Sequence, residues 1–216
     1  MKPKLQLALD NTSLSSALRD IKLVEEHIDI IEVGTILHVA EGLEPVECLS
    51  KMYPKKTVLA DIKGADAGSL LAKQCFDAGA NLMTVICCAE IETMKGMLNI
   101  AKERKNSNVQ IELYGDWTFD QAKKWLNSGL EHVVYHRSRD AQAAGKSWGE
   151  KDLNKIGKLI NMGFNVTVTG GITIQDIKLF KNYNIYCFIV GRGIRNADNP
   201  NQASLSFQKE INKYWE

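Results

Sequence analysis

Thr57-Val58-Leu59-Ala60-Asp61-Ile62-Lys63-Gly64-Ala65-Asp66 runs an apolar segment directly into two carboxylates and an ammonium. If the segment is a strand ending near Lys63, two-residue alternation points Asp61 and Lys63 to the same side and leaves Asp66 on the loop that opens the next helix. Opposite charges then converge on one cleft. Taken alone, the stretch fits equally well a partly buried ion pair anchoring a strand-to-helix turn, because structural networks also gather charge. The surrounding sequence decides between the two.

Outward from this stretch, short apolar runs alternate with amphipathic ones eight times, with no low-complexity linker between them. The expected strands are Leu5 to Asp10, Ile28 to Gly34, Thr57 to Lys63, Leu82 to Cys87, Val109 to Leu113, His132 to His136, Asn165 to Thr169 and Cys187 to Val190. Several are almost continuously hydrophobic, as strands covered on both faces must be. Between them, Leu14-Leu18-Ile21 with Leu23-Val24, Leu70-Leu71 with Cys75-Phe76, and Ile156-Leu159-Ile160 carry helical spacing. Gly79, Gly129 and Gly163 fall where left-handed helix C-caps are wanted. This pattern predicts an α/β chain forming a single (β/α)8 TIM barrel over residues 1–216, with an open doubly wound sheet as the alternative.

Composition narrows the partners. The 216 residues are 44% hydrophobic and 25% charged, enough apolar content to bury one full core, and the formal net charge is only +1. No basic run and no RNA-binding signature is present, so nucleic acid is not the expected partner. No apolar run approaches the roughly 20 residues of a membrane span, and Met1-Lys2-Pro3 leads straight into a strand, so a cytoplasmic location is expected. Cys48, Cys75, Cys87, Cys88 and Cys187 lack metal-ligand spacing and read as reduced core thiols.

In a barrel of this kind, functional groups collect at the C-terminal ends of the strands. Asp10 closes the first expected strand, Glu32 lies on the second, Asp61 and Lys63 on the third, Glu112 on the fifth, and His136 ends the sixth before Arg137 and Arg139. Each alone has an ordinary reading, as a helix cap, a satisfied carboxylate or a core histidine. Their convergence at one end does not. After the last two strands, Thr169-Gly170-Gly171 and Gly191-Arg192-Gly193 offer backbone amides and a guanidinium to a phosphate, which points to a phosphorylated small molecule. Glu32 and Asp61 on neighbouring strands suit Mg2+, a hard ion that keeps several waters and stabilises a developing enediolate. The same residues also allow Glu32 to pair with Lys63 with no metal.

Asp61-x-Lys63-x-x-Asp66, Ala8-Leu9-Asp10, Ile31-Glu32-Val33-Gly34-Thr35 and Tyr135-His136-Arg137-Ser138-Arg139-Asp140 together resemble the 3-keto-L-gulonate-6-phosphate decarboxylases of the orotidine 5'-phosphate decarboxylase suprafamily. Gln110 to Thr118 and Val166 to Gly171 extend the likeness over essentially the whole chain. The resemblance implies loss of CO2 from 3-keto-L-gulonate 6-phosphate to give L-xylulose 5-phosphate in L-ascorbate utilisation, by a homodimer with Mg2+. It further implies that Glu32 and Asp61 hold the metal and Lys63 stabilises the enediolate. Asp66 would reach into the partner subunit's site and orient Lys63, while His136 and Arg139 would help water deliver a proton. Asp10 and Glu112 would contact substrate, and Thr169, Gly170, Gly171, Gly191 and Arg192 would hold it at the phosphate end.

Gly64 departs from that pattern, where a side chain is expected, and puts the rigidity of the Asp66 loop in question. Two sibling activities compete with this reading. Orotidine 5'-phosphate decarboxylase shares the third-strand motif but uses a lysine near the end of the second strand, where this chain has Glu32, and Ile-Pro after the last aspartate, where this chain has Ala67-Gly68. 3-Hexulose-6-phosphate synthase also proceeds through an enediolate but lacks the pairing of His136 with Arg139. A non-catalytic sugar-phosphate sensor is the remaining alternative.

Overall fold

The computed structural model describes residues 1–138, 142–145 and 147–215. Eight parallel strands close on themselves in chain order: β1 (Lys4–Leu9), β2 (Ile30–Val33), β3 (Thr57–Gly64), β4 (Leu82–Ile86), β5 (Asn108–Leu113), β6 (His132–His136), β7 (Asn165–Thr169) and β8 (Ile185–Val190). Closure is the β1–β8 pairing, in which Leu5 lies opposite Phe188 and Leu7 opposite Val190. This is a (β/α)8 barrel, and the open sheet is excluded. No helix among the described residues is long and apolar enough to cross a membrane.

The strands are hydrophobic on both sides because each side meets a core. Leu5, Leu7 and Leu9 face outward into the main shell of apolar side chains under the helices, while Ile30, Leu59, Leu82 and Cys187 fill the barrel's lower interior. Above them, Ala8, Val134 and Ile189 form a second interior cluster. Small side chains at that level leave the upper barrel open, and the polar residues of β2, β3, β5, β6 and β7 occupy the rim.

Two of the helical stripes read from sequence shift when packed. In the first helix, Leu14–Val24, the buried positions are Ala17, Ile21 and Val24, and Leu23 is exposed; in Gly68–Asp77 the buried face is Gly68, Ala72, Cys75 and Phe76, with Leu70 exposed. Alanine and glycine sit where the helix comes closest to its neighbours, a choice that hydrophobicity alone does not reveal. Gly79, Gly129 and Gly163 adopt φ of 102, 84 and 107°, the left-handed ends expected of them. Asp10 lies one residue beyond β1, and β8 begins two residues before its expected start. All five cysteines are free; Cys75, Cys87 and Cys187 are buried and Cys48 partly so, but Cys88 is exposed rather than in the core.

Gly68 opens its helix with its Cα against the backbone of Ile91–Lys102, where an added Cβ would collide with the Thr93 carbonyl. A backbone carbonyl cannot swing aside as a side chain does. Gly68→Ala is therefore expected to destabilise the fold by about 1–3 kcal/mol, lowering Tm by roughly 2–12 °C. Calorimetry showing an unchanged Tm would contradict this packing.

Candidate active site

The cleft at the C-terminal end of the barrel has a volume of about 370 Å³ and is lined from β1, β2, β3, β5, β6, β7 and β8 or the turns that follow them. It contains Asp10, Glu32, Asp61, Lys63, Glu112, His136, Thr169, Gly170, Gly171, Gly191 and Arg192. Residues spread over more than 180 positions thus meet because each follows or ends an adjacent strand. Asp66 is the described exception: it is exposed, does not line this cleft, and its Oδ1 accepts from the Ala67 backbone N–H at 2.7 Å. Arg139 lies outside the described residues.

Asp61 is the centre of the first wall. Its carboxylate accepts from Thr84 Oγ1 on one oxygen at 2.8 Å, and from Thr35 Oγ1 at 2.8 Å and the Lys63 ammonium on the other. Thr35 Oγ1 also accepts from Lys63 Nζ at 2.8 Å, so the ammonium is fixed by two partners. The backbone makes this possible by leaving the regular ladder. The β3–β4 register shifts between Ala60 and Gly64, and Lys63 takes φ 48°, a left-handed conformation that non-glycine residues seldom hold without compensation. Compensation comes from Thr84 Oγ1, which accepts the Lys63 backbone N–H at 2.9 Å. Thr84 escaped the sequence reading, and Thr35 entered it only within the Ile31–Thr35 motif with no role of its own, because threonine is common on strands and helix starts; only register brings them to Asp61.

Burial raises the Asp61 pKa, but Lys63 and the hydrogen bonds from Lys63, Thr84 and Thr35 outweigh it and hold the group below its ordinary value. Lys63 is correspondingly kept charged: burial lowers its pKa, and Asp61 with Glu112 raises it further. Glu32 has no such partner. It is 6% exposed and accepts from Gln6 Nε2 at 2.6 Å, and burial followed by the charges of Asp61 and Asp10 pushes its pKa well above the ordinary carboxylate range. The Glu32–Lys63 pair allowed by the sequence does not form, since Lys63 is engaged by Asp61 and Thr35. Gly34 keeps Asp10 in this group, because a Cβ there would run into the Asp10 carboxylate.

A hard divalent cation suits these donors. Glu32 and Asp61 are buried oxygen donors on adjacent strands, and the Glu32 pKa, raised first by burial and then by the charges of Asp61 and Asp10, marks a place where a cation would offset both. Among the described residues no cluster of three or more histidine, cysteine, aspartate or glutamate ligands is gathered. Two carboxylates are few ligands, which suits an ion such as Mg2+ that keeps waters in much of its coordination sphere.

The facing wall comes from β5 and β6. His136 Nδ1 lies 2.9 Å from Glu112 Oε2 and 2.7 Å from the Tyr114 hydroxyl. The third wall is the glycine turn. Gly170 and Gly171 have φ of 113 and 64°, and a Cβ on either would strike the Arg137 carbonyl or the Gln142 side chain. Arg137 braces this turn through Nε to the Gly170 carbonyl at 2.9 Å, and its guanidinium lies over Trp148. Arg192 begins the short helix Arg192–Arg195 and donates to Gln142 Oε1 at 3.1 Å. Gly64 stays within β3, paired with Val85, and the Met97 methyl occupies the space a side chain would take, so it does not loosen the loop as expected.

Known proteins share this architecture. The model of the orotidine 5'-phosphate decarboxylase / HUMPS family matches residues 3–207. A curated relative, 3-keto-L-gulonate-6-phosphate decarboxylase UlaD of Salmonella paratyphi B, is 54% identical over 213 residues, which cover 99% of this chain and 98% of that protein. A crystal structure of KGPDC from Streptococcus mutans, solved as a ligand complex, superposes with a TM-score of 0.98 at 45% identity over the whole of both chains. A 3-hexulose-6-phosphate synthase from Salmonella typhimurium follows at TM-score 0.91 and 30% identity, with 98% of this chain and 99% of that one covered.

The raised Glu32 pKa has a stability consequence with a definite sign. The folded state binds this proton more tightly than the unfolded chain, so the contribution is full below the ordinary value of 4.5 and is lost as pH rises through the folded pKa. In chelator, Glu32→Gln should therefore gain Tm relative to wild type as pH rises from about 4.5 to 8, by roughly 2–4 °C for each kcal/mol of charge relieved. A Tm difference that stays flat across this range would mean that Glu32 ionises in the fold at no cost.

Proposed function

Because the chain belongs to the orotidine 5'-phosphate decarboxylase / HUMPS family, we propose that it decarboxylates 3-keto-L-gulonate 6-phosphate to L-xylulose 5-phosphate, as a Mg2+-dependent cytoplasmic homodimer serving L-ascorbate utilisation. The carbohydrate assignment rests on the curated relative and on the matched structures. The observation that carries the chemistry is the half-buried Lys63 ammonium, held by Asp61 and Thr35 in a cleft that the Glu112–His136 pair also lines.

The family resemblance supports the following division of labour. The amides of Gly171 and Gly191 with the Arg192 guanidinium hold the phosphate, with Thr169 and Gly170 completing that wall, and Asp10 and Glu112 meet the sugar chain. When bound by Glu32 and Asp61, Mg2+ supplies Lewis-acid polarisation of vicinal sugar oxygens. As the carbon–carbon bond to CO2 breaks, its electron pair stays on the sugar as an enediolate. Lys63 lies beside the charge that then develops, and its fixed position means that little reorganisation is needed at that moment. A proton from water completes the product, with His136 and Arg139 orienting that water. The aldol reaction of 3-hexulose-6-phosphate synthase uses the same enediolate chemistry, which makes it the sibling activity to measure alongside.

Purified protein should release CO2 from 3-keto-L-gulonate 6-phosphate with Mg2+ present, lose turnover by several orders of magnitude in chelator, and regain it on Mg2+ addition. Turnover only with ribulose 5-phosphate plus formaldehyde would overturn the decarboxylase reading in favour of the aldol lyase.

Exposed Asp66, outside the lining of its own cleft, supports a role across a two-fold axis. Lys63→Ala and Asp66→Ala chains should each be inactive, yet regain activity when mixed, because each heterodimer holds one site with both groups intact. With random equal mixing about half of the dimers are mixed, so recovery should approach roughly one quarter of wild-type turnover. No recovery after verified subunit exchange would return Asp66 to its own chain's site.

A further inference from the structure

The glycine turn after β7 is held from outside the cleft by the residue that follows β6. Arg137 presents one edge of its guanidinium to two successive peptide carbonyls, with Nε donating to Gly170 O at 2.9 Å and Nη2 to Gly171 O at 3.2 Å. The fork is itself anchored. Its central carbon lies 4.9 Å from the centroid of the Trp148 ring, and the Arg137 backbone N–H donates to Thr169 O at 3.1 Å.

In a trans peptide the C=O and the N–H that follows it lie on opposite sides of one plane. Holding the Gly170 carbonyl toward Arg137 therefore turns the Gly171 N–H the other way, and holding the Gly171 carbonyl does the same for the N–H of Ile172. Gly171 and Ile172 line the cleft, and Arg137 does not. Neither N–H has an acceptor among the described residues, although Ile172 is only 2% exposed. A donor on a buried residue calls for a partner. Two successive N–H groups facing one side form the kind of concavity that takes an oxyanion.

The side-chain cation of this wall hangs from the same segment. Gln142 Nε2 donates to the Arg137 carbonyl at 2.9 Å, and Gln142 Oε1 accepts from the Arg192 guanidinium at 3.1 Å. Because one end of this amide meets a carbonyl and the other a group that can only donate, its orientation is fixed by its neighbours.

We propose that Arg137 is a positioning residue of the phosphate site: its fork on the Gly170 and Gly171 carbonyls turns the N–H groups of Gly171 and Ile172 into the cleft, where both donate to phosphate oxygens. That a phosphate is what arrives rests on the sugar-phosphate reading above; the direction of the two N–H groups does not. Arg137 also brings a positive charge to this wall, so the test has to separate the charge from the fork. Arg137→Lys does so, since a lysine ammonium is a point donor that cannot reproduce a planar grip on two carbonyls.

Inorganic phosphate is the probe, titrated into the substrate-free protein. Calorimetry should show the phosphate Kd rising about 10-fold or more in Arg137→Lys, the size of one hydrogen bond to a charged group. In backbone proton–nitrogen spectra of wild type, the Gly171 and Ile172 amide signals should move downfield as phosphate binds, and in Arg137→Lys they should move less. An Ile172 signal that stays in place throughout the wild-type titration would overturn the proposal, and this measurement decides even if the variant folds poorly. A variant with lower Tm but a Kd within about twofold of wild type would do the same, because Arg137 would then only hold the fold together. Neither readout needs turnover. Phosphate binding with the expected shifts in a protein that releases no CO2 would uphold the site and overturn the decarboxylase reading, whereas CO2 release without those shifts would overturn the role of Arg137 alone.

Discussion

A lysine ammonium held against a buried aspartate is the constraint around which the upper barrel is arranged. Taking Asp61 out of water, and Lys63 in large part, is costly unless the remaining hydrogen-bonding capacity is filled. Here it is filled from three strands or their extensions. Thr35 follows β2, Asp61 and Lys63 belong to β3, and Thr84 belongs to β4. The β3–β4 register shift and the left-handed Lys63 backbone are the conformational cost of bringing a side chain two residues from Asp61 onto the same carboxylate oxygen. The strain is local, and the Thr84 hydroxyl that receives the Lys63 N–H also donates to Asp61, so one side chain stabilises both the bulge and the charge.

The barrel itself was legible because its cause is local: eight apolar runs, each too short and too hydrophobic for a half-exposed strand, separated by helical periodicity. The acidic and basic residues of the cleft were legible for a related reason, since a charge at the end of a buried strand is costly unless a partner or a ligand meets it. Thr84, Gln6 and Gln142 were not. Each is an ordinary residue for its element, and its role arises from pairing with a residue 21 to 50 positions away, as in Thr84 with Asp61 or Gln142 with Arg192. Such pairings depend on strand register, which sequence alternation constrains only to within a side of the sheet.

Gly64 illustrates the opposite error. Glycine in a catalytic loop suggested freedom, yet the residue is inside β3 and its missing side chain is replaced by the Met97 methyl from the neighbouring helix. Methionine fills irregular space well, so the exchange of a side chain for a flexible thioether preserves packing. The unusual backbone lies instead at Lys63 and Ala67, both at positive φ, flanking the segment that carries Asp66. Whatever sets the direction of that carboxylate is therefore written in the bulge of β3 and not in the glycine.

The charge balance of the cleft bears on how it receives an anion. Asp10, Glu32, Asp61 and Glu112 line it against the permanent cations Lys63 and Arg192 among the described residues. Arg192 stands at the glycine-turn wall, and Lys63 is already paired with Asp61, so little positive charge remains near Glu32. A phosphorylated sugar acid entering such a site would meet net repulsion at its carboxylate end. Two conditions remove it: a divalent cation between Glu32 and Asp61, or protonation of Glu32, toward which burial and the adjacent carboxylates already drive it. Protonation leaves one neutral acid and no extra positive charge, whereas a cation reverses the local field and at the same time gives the sugar oxygens a ligand. The second condition is the weaker one, because it only removes a repulsion; the first would both admit an anion and polarise the oxygens beside it, which is the physical content of the metal-dependent reaction proposed above.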